Sequence, residues 1–302
     1  MTLQFLVDGL MAGALIGLGA IGVTLTYSIL GFANFAHGEF ITFGAYATLL
    51  IASAIGSFVA GSDQSIGPLS ITWAVIAASV AAIGVTGAMA LALDFALFRR
   101  LRGKSAAISL VLASFGASMA IRASLEFAFT SRPTYFARDL QIATPIGLGL
   151  KVTPDQIALL IVTAVVLTAT HALMTRTQVG RAMRAVAENP PLARVAGVNV
   201  DETIRVVWLL GAALACISGV MLGLLVQIRP FMGFDLLLPL FAAAILGGIG
   251  SVPGAFLGAL IIGVGEAATV QFAGAQWRAA VAFVVLIAVL IVRPAGLFGR
   301  SG

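Results

Sequence analysis

The sequence predicts an all-α membrane protein, a polytopic transmembrane helical bundle of about eight to nine membrane segments, some of them broken by Gly and Pro. Three observations predict it. Of 302 residues, 60% are apolar and only 10% charged, against roughly a quarter charged in an ordinary soluble domain. The few charges are clumped, so that residues 9 to 38, 40 to 62, 64 to 93, 105 to 121, 156 to 175, 206 to 228 and 236 to 265 contain no Asp, Glu, Lys or Arg. These runs are continuous rather than alternating, which a barrel strand of about 10 residues would require. About 18 or more apolar residues suffice to cross the hydrocarbon core as a helix. A soluble enzyme, a disordered chain and a nucleic-acid binder are thereby excluded.

Three basic clusters order the segments: Arg99, Arg100, Arg102 and Lys104; then Arg176, Arg181, Arg184, Arg194 and Arg205; then Arg293 with Arg300. The net charge of +5 follows from this positive-inside bias, which places all three clusters in the cytoplasm. Spans are expected at 4 to 30, 37 to 58 and 71 to 98 before the first cluster. Two more, at 106 to 126 and 155 to 174, return the chain to the same side. Four follow at 205 to 228, 236 to 250, 254 to 272 and 277 to 293. The result is nine crossings, or seven and a re-entrant pair at 236 to 272, with the N-terminus outside. No cleaved leader is expected, because Asp8 stands where a leader would be basic. The polar, Pro-containing stretch 129 to 153 reads as an external loop and 175 to 203 as a cytoplasmic elbow, within one transmembrane domain spanning 1–302. Glycines four apart, Gly9, Gly13 and Gly17, Gly219 and Gly223, and Gly254 and Gly258, read as faces where helix backbones approach closely in lipid. Cys216 lies in a charge-free run and reads as core packing.

Several motifs need weighing. Gly17, Gly19 and Gly22 spell GxGxxG inside a long apolar run, where no strand and helix N-terminus can seat a pyrophosphate. No GxxxxGK[ST] occurs, so any ATP-driven work must come from a partner, and no cofactor is expected in this chain. The polar stretch NFAHGE, Asn34 to Glu39, joins two apolar runs. It is read either as a tight connection or as the lining of a permeation route, since polar groups at membrane depth face protein or water. One His and one Glu supply too few ligands for a metal. GGIGSVPG, 247 to 254, is either the second member of a pair of breaks flanking a transport site or a plain turn. Tyr27, Asn34, His37 and Thr42 are the sparse polar groups in spans 1, 2 and their link. With the small residues of the 236–250 span they are the candidate pathway, because a neutral imidazole can both donate and accept without a full charge.

In the elbow, residues 180 to 188 favour a helix that Asn189-Pro190-Pro191 stops. A second short helix runs to Ala196 with Gly197 as its terminal glycine, and Asn199 with Glu202 resembles a capping box. Arg181, Arg184 and Glu188 share one face.

These residues carry a resemblance. NFAHGEFITFGAY, the elbow TRTQVGRAMRAVAENPPLARVAGVNVD with WLLGAALACISGVMLG, and FAAAILGGIGSVPGAFLGALIIGVGE together resemble the membrane permease subunits of branched-chain amino-acid ABC transporters, over essentially the whole chain. The resemblance implies a bacterial inner-membrane subunit that imports Leu, Ile or Val. It further implies a second permease, two cytoplasmic ATP-binding subunits and an external substrate-binding protein as partners, in contact with membrane lipid and not with nucleic acid. Carried across residue by residue, Arg181, Arg184, Ala187, Glu188 and Gly197 become the positions that dock the ATPase.

Urea and short-amide permeases of the same superfamily share this pattern. An ion-coupled secondary transporter is the alternative from another class. It would need intramembrane carboxylates, for which Asp94, Glu126 and Glu266 are the candidates. A membrane enzyme finds no support, since neither histidine stands in a Ser-His or HExxH arrangement.

Overall fold

The charge-free runs become helices almost end to end. The computed structural model describes residues 3–59, 61–102, 106–136, 141–147, 150–293 and 295–299; Lys104 and Arg300 of the basic clusters lie outside them. In chain order come α1 (Gln4–Leu30), α2 (His37–Phe58), α3 (Trp73–Leu101), α4 (Ala107–Phe129) and α5 (Pro154–Arg176). The elbow follows as α6 (Gln178–Glu188) and α7 (Pro190–Val195), then α8 (Val200–Leu225), α9 (Met232–Gly247), α10 (Val252–Phe272) and α11 (Arg278–Val292). Eight segments are long and apolar enough to cross a membrane, counting the last from Ala275. The 16-residue α9 is shorter and extends about 24 Å at 1.5 Å per residue.

The helices alternate in direction, so the links gather at two ends. At one end lie the elbow, the turn between α9 and α10 and the segment 295–299, which together with Tyr27 and Ser28 surround one cavity. At that same end Trp208 Nε1 donates to Asp94 (2.8 Å), which also pairs with Arg102. At the other end Lys151 N–H donates to Gln4 Oε1 (2.9 Å), Ser70 is bonded to Asp155, and Thr134 and Ile228 exchange backbone bonds of 2.9 and 2.8 Å. Arg99, Arg100, Arg102 and the elbow arginines thus sit at one end, as the parity of the spans requires. The loop 129–153 contains a small antiparallel hairpin, β1 (Thr144–Gly147) with β2 (Leu150–Val152). We call the two ends the elbow end and the hairpin end.

Caps explain where the helices begin. Thr153 and Gln156 form a reciprocal capping box at α5. Thr177, Asn189, Asn199 and Ser251 each accept a backbone N–H in the first turn of α6, α7, α8 and α10. The sixth span therefore begins at Val200 rather than at 205. Asp201 and Glu202 look like loop residues, yet at a helix N-terminus they complement the dipole. Gly197 has φ +86° just after α7, the left-handed terminator expected of it.

Glycines set the packing of the buried core. A Cβ on Gly9 would lie 2.6 Å from Val264 Cα, and one on Gly13 2.8 Å from Leu260 Cα, so α1 and α10 touch backbone to backbone. Gly219 faces the carbonyl of Ile41, and Gly258 that of Ala243. The three glycines of the GxGxxG face Phe256, Leu240 and His37 respectively; the motif is helix packing. On α3, α4, α5 and α11 large apolar side chains such as Val80, Leu112, Ile161 and Val284 are exposed, as a lipid-facing surface requires. The tail closes the elbow end, where Leu297 N–H donates to Leu246 O (2.8 Å) and Phe298 N–H to Gly247 O (3.1 Å).

Candidate functional site

Two helices start inside the bundle rather than at its surface. α1 ends at Gly31, whose φ of +72° turns the chain back. In the link that follows, Asn34 Oδ1 accepts from Ala36 N–H (3.1 Å) and Phe35 N–H donates to Ser114 Oγ on α4 (3.1 Å). His37, the first residue of α2, packs against Gly22 and Gly211. Gly22 is eight residues before the end of α1, so α2 begins about 12 Å inside that end. α9 also begins inside: Gly233 faces Gly38, and its N–H donates to Thr42 Oγ1 (3.0 Å). The two helix starts thus overlap, side by side and antiparallel.

A buried ion pair braces this junction. Glu39 Oε1 accepts from Arg122 Nη2 (2.7 Å), Arg122 Nε (3.1 Å) and Ser118 Oγ (3.0 Å). The guanidinium lies 3.9 Å from the ring centre of Phe234 and 5.1 Å from that of Phe231, within the range of cation–π attraction. α2, α4 and the start of α9 are therefore tied through one arginine. Sequence reasoning weighed Glu39 only within NFAHGE, as one of too few metal ligands, and passed over Arg122. Glu39 stands at the edge of two charge-free runs, and the signal available was the single arginine inside the span 107–129.

Three cavities follow one another along α9. The first, of about 650 Å³ at the hairpin end, is lined by Asp8, Leu15, Arg229, Asp235, Glu266 and Arg278 among others. The second, of about 500 Å³, is almost wholly apolar, with Val23, Phe35, Phe234, Leu237 and Phe241. The third, of about 730 Å³ at the elbow end, has Tyr27, His171, Arg184, Glu188 and Ser251. Leu238 borders the first and second; Tyr27, Ile245 and Ile249 border the second and third. Charged side chains reach the two end cavities and none lines the middle one.

Of the four expected pathway residues, Tyr27 lines two of these cavities. Asn34, His37 and Thr42 are buried and line none of the three cavities: Thr42 meets Gly233 of α9, His37 packs against Gly22 of α1 and Gly211 of α8, and Asn34 bonds within the link. Neither ring nitrogen of His37 makes a hydrogen bond of ordinary geometry, the Gly19 backbone being beside it, and Asn34 Nδ2 is also unsatisfied. GGIGSVPG turns the chain from α9 to α10 at the elbow end, with Ile249 and Gly250 exposed, Gly250 N–H donating to Thr24 Oγ1 (2.7 Å) and residues 249–253 lining the third cavity. Among the elbow residues Arg184, Ala187 and Glu188 line the third cavity, and Arg184 also donates to the Met174 carbonyl. Arg181 and Gly197 are on the exposed surface. The three candidate coupling carboxylates are all engaged: Asp94 as above, Glu266 by Arg278 Nε (2.8 Å), and Glu126 by Ser131 Oγ (2.6 Å). Among the described residues no group of three or more His, Cys, Asp or Glu is placed to hold a metal ion.

Comparison with known proteins places this arrangement. The family model described as branched-chain amino acid transport system / permease component matches residues 5–290. The high-affinity branched-chain amino acid transport system permease protein LivH of Salmonella typhimurium is 34% identical, covering 99% of this chain and 96% of its own. BraD of Pseudomonas aeruginosa, a permease protein of the same description, is 35% identical with the same coverage. A probable LivH from Methanocaldococcus jannaschii is 27% identical over 93% of this chain and 87% of its own.

Proposed function

The chain belongs to the branched-chain amino acid transport permease family, and from that premise we propose that it carries Leu, Ile and Val across the bacterial inner membrane as one permease subunit of an ABC importer. The observation that carries this reading is the end-to-end match to relatives named for branched-chain amino acid transport. The chain itself supplies a route and not an engine. A second permease subunit completes the membrane part, two cytoplasmic ATP-binding subunits drive it, and an external binding protein delivers the amino acid to the hairpin end. ATP is held by those partners, and this chain needs no cofactor of its own.

The geometry supports a division of labour along α9. A zwitterion with an apolar side chain meets a polar mouth, an apolar middle and a polar exit, which resist it less than a ring of fixed charge would. Tyr27 stands where the middle cavity meets the exit. Thr42 sets how α2 and α9 overlap, while Asn34 and His37 set how the start of α2 seats against α1 and α8. In the elbow, Arg184, Ala187 and Glu188 face the exit cavity, with Arg181 and Gly197 turned to the outside, where an ATPase would dock.

Proteoliposomes holding the complete transporter, with ATP inside and binding protein and labelled leucine outside, test the reading directly. Leucine should accumulate. Accumulation of urea or a short amide in its place would reassign the substrate, and uptake driven by a proton or Na⁺ gradient without ATP would overturn the mechanism. In the same assay Glu188→Lys and Gly197→Pro should abolish uptake with the subunit still in the membrane. Transport-coupled ATP hydrolysis at the parent rate in both would remove the elbow from the coupling path.

A further inference from the structure

We propose that the cavity at the hairpin end is itself a binding chamber for the free amino acid, a station between the external binding protein and the membrane route. The inference rests on the branched-chain amino acid reading above and adds to it a site with named residues.

The chamber is amphiphilic in the way the ligand is. Its lip carries two ion pairs, Arg229 Nη2 with Asp235 Oδ2 at 2.9 Å and Arg278 Nε with Glu266 Oε2 at 2.8 Å. Its floor is formed by Met11, Leu15, Ile16, Leu222, Met232 and Leu236. The volume, about 650 Å³, is within the roughly 300–1,000 Å³ of small-ligand sites.

The two pairs differ in how readily they can be exchanged. The side chains of Arg229 and Asp235 are 48% and 50% exposed, and an exposed pair of this kind contributes little to stability. It can part at small cost, leaving a guanidinium for the ligand carboxylate and a carboxylate for its ammonium, so every charge remains matched. Glu266 is 4% exposed, and its pair with Arg278 is held in place beside them. Two further observations fit this use. Arg229 and Asp235 flank the start of α9, on the segment that leads the chain into the bundle, so a ligand held there touches the helix along which the cavities continue. The apolar floor lies on α1, α8 and α9 immediately below the lip, so a ligand held by its charged end directs its side chain inward.

The chamber therefore discriminates in two ways. A leucine analogue lacking the amino group, 4-methylpentanoate, or lacking the carboxylate, 3-methylbutylamine, would split the Arg229–Asp235 pair and satisfy only half of it. A charged side chain would meet the apolar floor.

The test uses the complete transporter in nanodiscs without the external binding protein. Labelled leucine should bind saturably, and unlabelled leucine should displace it at least tenfold better than either analogue. Arg229→Gln and Asp235→Asn should each weaken binding tenfold or more, and the charge-swapped double variant Arg229→Asp/Asp235→Arg should recover part of it. Size-exclusion profiles identical to the parent separate lost recognition from lost fold. Parent-level leucine binding in both single variants, or equal displacement by the analogues, would overturn the chamber. So would the absence of saturable binding in a transporter that accumulates leucine when the binding protein is present, and that outcome leaves the proposed function standing. A transporter that accumulates no branched-chain amino acid under any condition removes both.

Discussion

The link 31–36 and the turn 248–251 are both short, both start with a glycine in the left-handed region, at φ +72° for Gly31 and φ +94° for Gly248, and both join two apolar helices. Their surroundings are opposite. In the first, Phe32, Asn34 and Ala36 are buried, and α2 starts against Gly22, Gly211 and Gly233 inside the bundle. In the second, Ile249 and Gly250 are exposed at the elbow end and Ser251 caps α10 in the ordinary way. Composition alone does not separate a break at membrane depth from a turn at its edge. What separates them is the set of helices that closes around the residues, together with a buried ion pair that braces one and not the other.

The comparison can be broken most decisively at that ion pair. Arg122→Ala leaves Glu39 buried without its partner, which typically costs about 3–5 kcal/mol. The solubilised protein should therefore lose most of its thermal stability, while Glu39→Met/Arg122→Met recovers the greater part. A single variant as mild as those at the turn would mean that the junction is not braced at all. Next in size is Gly233→Ala, whose Cβ would run into the Gly38 carbonyl. Overpacking of this kind costs about 1–3 kcal/mol and should appear as a lowered melting temperature with impaired uptake. At the turn, Ser251→Ala removes one helix cap, for about 1 kcal/mol, and uptake should stay near the parent level.

The smallest stability effect is expected at His37, and it sharpens the comparison most. His37→Leu removes a buried ring that makes no ordinary hydrogen bond, so melting should change little or rise. Uptake should nevertheless fall at least tenfold if the imidazole finds its partners only while α2 shifts against α1 and α8, the helices it packs between. Parent-level uptake with normal expression would reduce the link to a structural joint.

The spans were legible because each is a long run without charge; 4–30 and 37–58 coincide with α1 and α2 to the residue. The elbow was legible through Asn189, Gly197 and Asn199, whose capping chemistry is local. Three things were hidden. α9 begins at Met232 and not at 236, with Asp235 inside its first turn rather than ahead of it. The hairpin within 129–153 depends on pairing to itself and on Lys151 meeting Gln4. Glu39 meets Arg122 across 83 residues of chain. The contacts of Gln4 with Lys151 and of Glu39 with Arg122 join distant segments, and one sequence carries no record of such contacts beyond an isolated charge in an apolar run. The same holds for the cavities, which exist only between helices.

The bonds from Leu297 and Phe298 to the last carbonyls of α9 also have a meaning in time. A ribosome adding about 5–20 residues per second delivers Leu246 several seconds before Leu297, and for that interval the end of α9 lacks the donors that later close it. The elbow-end cavity is thus completed by residues made after every helix that lines it. A nascent chain stalled between α10 and α11 would hold its other helices with the last carbonyls of α9 still lacking these two donors.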